Sequence, residues 1–352
     1  MSPGLVVKLR PTGPWRIGPD SGARNQVDFI YHSDSLYGAV TSALARLGSL
    51  DEWLTATARN GAPAVCFSSC FPFIEEIGFV VPPRTLWPPA APALLATRVR
   101  WKSARFVPLG IVQALLAGRP LDENHWAVDG VSGCLVPAGR SGPFRTGVRW
   151  NAAVDRLSGS TERHSTACLE FRPGAGLWAV VSFADEDARA RWQEPVKAAF
   201  RWLADSGFGG ERSRGWGRSE SPEFTEGTLP DMILGGQGPE NGRQVAENTE
   251  SPEADVRSHG NTHWLLSLFS PAPADIVDWS RGDYTVLARG GRVESPAGSG
   301  ELKKQVHMVA EGSVLVSGSA LRGAAPDVAP DGFAHPVFRS GFALSIPLPE
   351  VS

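Results

Sequence analysis

The chain is poor in cysteine, with four in 352 residues. Cys66, Cys70, Cys134 and Cys168 are too few and too scattered to staple so long a polypeptide. Only the first two lie close together, without the second Cys-x2-Cys pair or His-x3-His spacing that zinc requires, so free thiols and no metal site are expected. Long hydrophobic runs are missing too. No segment approaches the roughly 18 apolar residues of a membrane helix, and the opening MSPGLVVKLRPTG has no uninterrupted signal core. A cytoplasmic chain with no membrane partner is expected. Catalytic signatures are equally scarce: the seven histidines are scattered, with no His-Glu-x-x-His, no Gly-x-Ser-x-Gly and no carboxylates paired at motif spacing.

The net charge is only −3, but it hides a division. Glu226 to Gly260 holds seven acids and two bases, leaving 32 bases against 30 acids elsewhere. The remainder is close to neutral, so the clustering of its arginines decides the partner. The 39 glycines and 29 prolines call for many turns and short elements, which argues against a long helical bundle.

Element order can be read coarsely. GLVVKLR alternates Leu5, Val7 and Leu9 with more polar positions, predicting a half-buried strand. HSDSLYGAVTSALARLG places Leu36, Ala39, Val40, Ala43, Leu44 and Leu47 at helical spacing, with Ser33 or Asp34 as N-cap and Gly48 after the last turn. STACLEF and LWAVVSF flank the turn RPGAG and predict a hairpin. DEDARARWQEPVKAAFRWLADSG is helical, with Trp192, Val196, Ala199, Phe200 and Leu203 on one face and Pro195 as a kink or restart. A glycine-rich loop at 207–217 then runs into another strand. Strand, helix, two strands, helix, strand is the ferredoxin-like order. The expected class is α+β: a domain at 1–225 with an insertion of about 61–163, an acidic flexible linker or loop at 226–260, and a smaller, strand-rich second copy at 261–352.

Basic residues cluster in glycine-flanked segments. In GFGGERSRGWG, Gly207, Gly209, Gly210, Gly215 and Gly217 let the backbone double back. Arg212 and Arg214 supply bidentate donors beside Ser213, and Trp216 offers a ring for stacking. The loop is no Walker motif, because Trp216 and Gly217 stand where Lys and Ser/Thr would be. It also runs from helix to strand, the reverse of a dinucleotide fingerprint, so no cofactor is expected. A mobile connection with solvated arginines is the plain alternative. In RVRWKSAR, a strand would put Arg98, Arg100 and Lys102 on one face with Arg105 following, either to meet a polyanion or as a charged edge. Gly130 to Val154 carries Arg140, Arg145 and Arg149 and no acid, and reads as a flexible basic arm or an ordinary exposed loop. Arg289-Gly290-Gly291-Arg292 and Lys303-Lys304 echo the pattern more weakly. His32, at the entrance of the first helix, either fixes that entrance, contacts RNA, or acts on a ribose or phosphate.

The runs HSDSLYGAVTSAL, GFGGERSRGWG and GSVLVSG…GFAHPVFRSGFALSIPLP resemble the RAMP superfamily of CRISPR proteins, most closely the type III-A (Csm) effector subunit that caps the 5′ tag of the guide RNA (crRNA). The resemblance implies two ferredoxin-like (RRM-like) domains facing one another across a cleft under the glycine-rich loop. It further implies a non-catalytic subunit that contacts the crRNA 5′ tag, the large polymerase-like CRISPR subunit and the adjacent backbone RAMP subunit. The loop glycines with Arg212, Ser213 and Arg214 would then hold the tag, bordered by His32 and Ser33. The guide-processing endoribonuclease of the same superfamily, using His32, and the equivalent type III-B subunit remain as alternatives.

Overall fold

Strand β1 (Ser2–Leu9) leads to helix α1 (Ser33–Arg46) and to α2 (Leu50–Leu54), which continues into one π-helical turn at Thr55–Arg59. Short strands β2 (Val65–Phe67), β3 (Phe71–Ile74), β4 (Ile77–Val80) and β5 (Val107–Pro108) follow, then α3 (Leu109–Leu116). Two hairpins come next, β6 (Trp126–Asp129) with β7 (Cys134–Pro137) and β8 (Phe144–Val154) with β9 (Thr161–Phe171). The first half closes with β10 (Ala175–Phe183), α4 (Glu186–Ser206), β11 (Glu223–Leu229) and α5 (Asp231–Leu234). This computed structural model describes residues 1–19, 22–89, 100–235, 261–295 and 298–349.

The first sheet is antiparallel in the order β11-β1-β10-β3-β4-β5, with β2 also paired to β10. If β2 and β3 are taken as one interrupted strand, the core order is fourth, first, third, second, as in a βαββαβ unit. The alternation in β1 buries Leu5, Val7 and Leu9. Helix α1 buries Leu36, Tyr37, Val40, Ala43 and Leu44, each worth about 1–3 kcal/mol of apolar transfer. Leu47, expected on that face, is the C-cap residue and is exposed. Helix α4 is capped by Asp185, whose carboxylate accepts from the Ala188 N–H at 2.8 Å. It runs through Pro195 as one element, because Trp192, Val196, Ala199, Phe200 and Leu203 fasten both sides of the proline into the core.

Two expectations are corrected. STACLEF and LWAVVSF do not pair: β9 lies along β8 through eleven residue pairs, while β10 enters the main sheet beside β1 and β3. The second strand of the unit is therefore β2–β3, and the insertion falls between it and β10 instead of before it. The expected linker also begins too early, since β11 pairs with β1 as far as Leu229 and α5 follows it. Residues 236–260 lie outside the described residues.

The second half contains β12 (Thr262–Leu265), β13 (Val277–Asp283), β14 (Val286–Arg289), β15 (Arg292–Ser295), β16 (Gly298–Leu302) and β17 (Val306–Val309). It ends with β18 (Val314–Ser317), β19 (Gly323–Ala324), β20 (Gly341–Phe342) and β21 (Ser345–Leu348). Its main sheet, β13-β18-β12-β21, repeats the strand order of the first. The helices of a second ferredoxin-like copy are absent among the described residues. The halves share one large core, in which Trp264, Leu266, Phe342, Leu344 and Ile346 join Leu5, Val40 and Phe73, while Leu265, Phe269, Val309, Leu315 and Leu321 form a smaller cluster within the second half. The Trp264 indole N–H donates to the Val81 carbonyl at 3.2 Å.

Candidate nucleic-acid interface

The entrance of α1 is the most charged part of the interior. His32 takes the N-cap position in an extended conformation without capping through its ring; the Ser33 N–H donates instead to Ser69 Oγ at 2.8 Å and the Ser35 N–H to Asp34 Oδ1 at 2.7 Å. The expected caps are committed mainly to the other half of the molecule. Ser33 Oγ accepts from the Leu268 N–H at 2.9 Å, and both Asp34 oxygens are held by Arg289 at 2.9 and 3.1 Å and by Arg339. Burial alone would raise the Asp34 pKa, but the two guanidiniums outweigh it and hold it down at about 2. His32 is 4% exposed, with Nδ1 2.8 Å from Glu311 and Nε2 3.3 Å from Asp28. Burial opposes its charge, yet Glu311 and the hydrogen bonds to both carboxylates raise its pKa to about 9. The ring is a cation at neutral pH with both nitrogens engaged, and so has no lone pair to offer as a base. Thus His32 and Ser33, expected to border an RNA groove, are instead buried in the joint between the halves.

The glycine-rich loop is positioned by close backbone crossings. After α4 ends at Gly207, Phe208 buries its ring edge-on to Trp15 and Tyr31, at centroid distances of 4.6 and 5.1 Å. The Gly210 and Gly217 N–H groups donate to the carbonyls of Arg16 and Pro14 at 2.8 and 3.0 Å. At Gly217 the backbone has φ +78°, and an added Cβ would stand 2.1 Å from the Phe208 carbonyl oxygen. That position requires glycine on both counts. These contacts fix the base of the loop, while Arg212–Arg214 form one 3-10 turn at its tip.

The tip is where the structure leaves cations in solvent. Gly209, Gly210, Glu211, Arg212 and Ser213 line an open cleft. Arg212 is ion-paired with Glu294 of the other half, and Arg214 pairs with Glu211 at 2.8 Å. Trp216 is only 8% exposed, so the expected stacking ring is committed to packing instead. Three cations of the second half group around Asp34. Arg289 and Arg339 are buried on Asp34, and Lys303 has its pKa lowered by burial and by Arg339, against the pull of Asp34 and Glu294. Arg289 and Lys303 belong to segments whose sequence shows basic character; Arg339 and Glu311 are isolated in the sequence and carry no local signal.

The other basic segments do not gather here. Arg98 lies outside the described residues. Arg100 and Lys102 flank the buried Trp101 in a 3-10 turn, not on the face of a strand, because that indole packs edge-on against Trp87 at 5.6 Å. Arg105 is paired with Asp28 at 3.0 Å and covers the rings of Phe29 and Phe106. The expected flexible arm is a regular ribbon: Arg140 sits exposed in the turn before it, while Arg145 and Arg149 project from β8 and share the Glu170 carboxylate at 2.9 and 2.6 Å. The ribbon also exposes Trp150, with the Arg163 guanidinium 5.4 Å from its ring centroid. That cation–aromatic pairing suits unpaired bases.

All four cysteines are free, and no group of three or more metal-ligating side chains occurs among the described residues. Among those residues no helix is long and apolar enough to cross a membrane.

Comparison with known proteins places these features in context. Residues 258–348 match the CRISPR Csm4 C-terminal domain. No curated protein sequence matches the chain. Among solved structures, the fold is similar to a chain of the Csm3–Csm4 subcomplex in the type III-A CRISPR-Cas interference complex. There the TM-score is 0.62 at 14% identity, over 97% of this chain and 99% of that one. It is also similar to chains of the Csm1–Csm4 cassette solved in complex with cA4 and with pppApA. Both give a TM-score of 0.55, at 16% identity over 99% of each chain and 18% identity over 98% of each chain. The fold is Csm4-like along nearly the whole length, and the sequence match lies in the half that carries Glu294, Lys303, Glu311 and Arg339.

Proposed function

We propose that this chain is the non-catalytic, RNA-binding subunit of a type III-A (Csm) effector complex. It acts in the cytoplasm and anchors the 5′ repeat-derived tag of the crRNA. It bridges the large polymerase-like subunit to the backbone RAMP subunits. The observation that carries this reading is the likeness, over nearly the full chain, to a fold solved in both Csm1–Csm4 and Csm3–Csm4 assemblies. The repeated strand order supports reading both halves as ferredoxin-like units, the second without its helices among the described residues.

The charge geometry supports the assignment of RNA to the glycine loop. Arg212, Ser213 and Arg214 project from a turn whose base is locked by backbone contacts, so phosphate oxygens meet donors that are already ordered. The β8–β9 ribbon, with Arg145, Arg149, Arg163 and exposed Trp150, offers a second contact along the same strand of RNA. The engagement of both His32 nitrogens supports a binding role over an endonuclease that uses His32.

The test is reconstitution. Mixed with the large subunit, a backbone subunit and crRNA of a type III-A system, the chain is expected to join the other two proteins in one particle and to shield the 5′ tag from ribonuclease. Failure to bind either protein, or a tag left unprotected, overturns the proposal. So does cleavage of repeat RNA by the purified chain that disappears in His32→Ala.

A further inference from the structure

The RNA-facing loop does not stand open in the unliganded chain. Its foremost cation, Arg212, is occupied by a carboxylate reaching across from the other half of the molecule. That carboxylate, Glu294, belongs to β15, which among the described residues pairs only with β16, in a two-stranded ribbon outside both main sheets. Neither partner is fixed by burial, since the Arg212 side chain is 40% exposed and that of Glu294 77%. An exposed pair of this kind is worth only about 0–1 kcal/mol, so a stronger anion can take its place.

A second cation lies on the same ribbon. Lys303 follows β16, with its backbone N–H tied to the Gly291 carbonyl at 2.9 Å, so it is part of the same ribbon. It is half-buried, and its charge is opposed by burial, Arg339 and Arg289 and favoured by Asp34 and Glu294. Asp34 is already saturated by those two arginines. Glu294 is the acid paired with Arg212 of the first half, and it adds to the pull of Asp34 on Lys303 of the second. Its departure would free Arg212 at the open cleft of the loop.

We propose that Glu294 is an internal stand-in for an RNA phosphate: it occupies Arg212 of the glycine-rich loop, and one backbone phosphate of a bound strand displaces it. This deepens the RNA-binding reading above and rests on it. The exchange is one anion for another, with no bond made or broken. It explains why a site meant for a polyanion carries an acid at its mouth. The acid neutralises the cleft when it is empty, and stray anions gain little from entering. A strand already held elsewhere, on Arg214 or on the β8–β9 ribbon, supplies the local concentration needed to push it aside. Unlike Glu211, which pairs Arg214 within the loop and moves with it, Glu294 approaches from the other half and can leave without disturbing the loop.

The full-length chain can be titrated against a fluorescent single-stranded RNA of about twelve nucleotides, within the usual footprint of such sites, at several salt concentrations. Glu294→Gln keeps the shape of an exposed side chain and removes its charge. It is expected to tighten binding by about three- to tenfold at low salt. Lys303→Ala is expected to weaken binding and Arg212→Ala to weaken it further. Glu294→Gln is expected to give no gain once Arg212→Ala is present. A flat response to Glu294→Gln, while Arg212→Ala still weakens binding, overturns the stand-in and leaves the RNA site intact. A gain that survives undiminished in the Arg212→Ala, Lys303→Ala background also overturns it, because the acid would then act only through the general field. If the unmodified chain, at concentrations up to the solubility limit, binds no RNA and Arg212→Ala changes nothing, the RNA-binding reading falls and this proposal falls with it.

Discussion

Two charge clusters join the halves of this molecule, and they differ mainly in how much water reaches them. At the α1 entrance, Asp34 with Arg289 and Arg339, and His32 with Glu311 and Asp28, are sealed from solvent apart from part of Asp28. At the tip of the glycine loop, Arg212 with Glu294 is largely wet, and Arg214 with Glu211 is half-buried. Similar side chains pair in both places, yet their roles separate. A buried charge cannot leave its partner without meeting a low-dielectric interior, so the first cluster fixes the geometry of the joint. An exposed charge exchanges its partner for another anion at little cost, so the second can recognise a ligand.

The sharpest way to test this division is to remove one carboxylate from the dry cluster. Asp34→Ala leaves two buried guanidiniums without their common partner and is expected to destabilise the chain by about 3–5 kcal/mol. Urea denaturation monitored by tryptophan fluorescence measures it. A loss below about 1 kcal/mol would mean that the joint is as solvated as the loop, and the contrast would vanish. At the loop, the backbone crossing matters more than the charges. Gly217→Ala forces a left-handed conformation on a residue with a Cβ and drives that atom into the Phe208 carbonyl. The expected cost is about 1–3 kcal/mol for the conformation, before relief of the clash, together with loss of RNA retention. A variant of unchanged melting temperature would show that Phe208 and Gly217 need not cross so closely.

The dry cluster also has a pH signature. The folded pKa of His32, about 9, lies above its ordinary 6.5, so its contribution is complete below about pH 6.5 and disappears as pH rises through about 9. Asp34 works in the opposite sense: its contribution is complete above about pH 4 and fades as pH falls through about 2. Stability measured from pH 6 to pH 10 is expected to decline over that window, and His32→Gln is expected to flatten the decline. An equal slope in both proteins would assign the pH dependence to other groups.

What could be read in advance follows from the range of the interactions. Helix α1, helix α4 and strand β1 were legible because a buried face repeats every 3.6 or 2 residues. The glycine loop was legible because glycine and arginine in alternation are a local composition. The reading failed where the partner is distant. Ser33 and Asp34 carry the mark of helix caps, but their main contacts lie 235 to 305 residues away at Leu268, Arg289 and Arg339. Glu311, the main partner of His32, gives no local hint at all. The turn after β9 suggested a hairpin with β10, yet the polar first half of β9, from Thr161 to His164, suits an exposed ribbon with β8 and not a place in the buried sheet. Trp216 shows the same limit: an indole among glycines and arginines looks like a stacking platform, and only tertiary packing reveals that it is buried.

The smallest expected change in stability belongs to the residues with the greatest expected effect on RNA. Arg212→Ala combined with Arg214→Ala removes one exposed and one half-buried ion pair, neither sealed from water, so folding stability should shift by less than about 1 kcal/mol. The same pair of changes should weaken RNA binding and reduce the slope of log affinity against log salt by roughly one for each phosphate that is no longer neutralised. These two outcomes belong together. If stability falls as far as it does in Asp34→Ala, the loop arginines hold the halves together and the wet cluster is structural after all. If stability stays level and the salt slope is also unchanged, the arginines face solvent without meeting phosphate, and RNA contact must be sought on the β8–β9 ribbon. Only unchanged folding with a shallower salt slope assigns the dry cluster to architecture and the wet one to recognition.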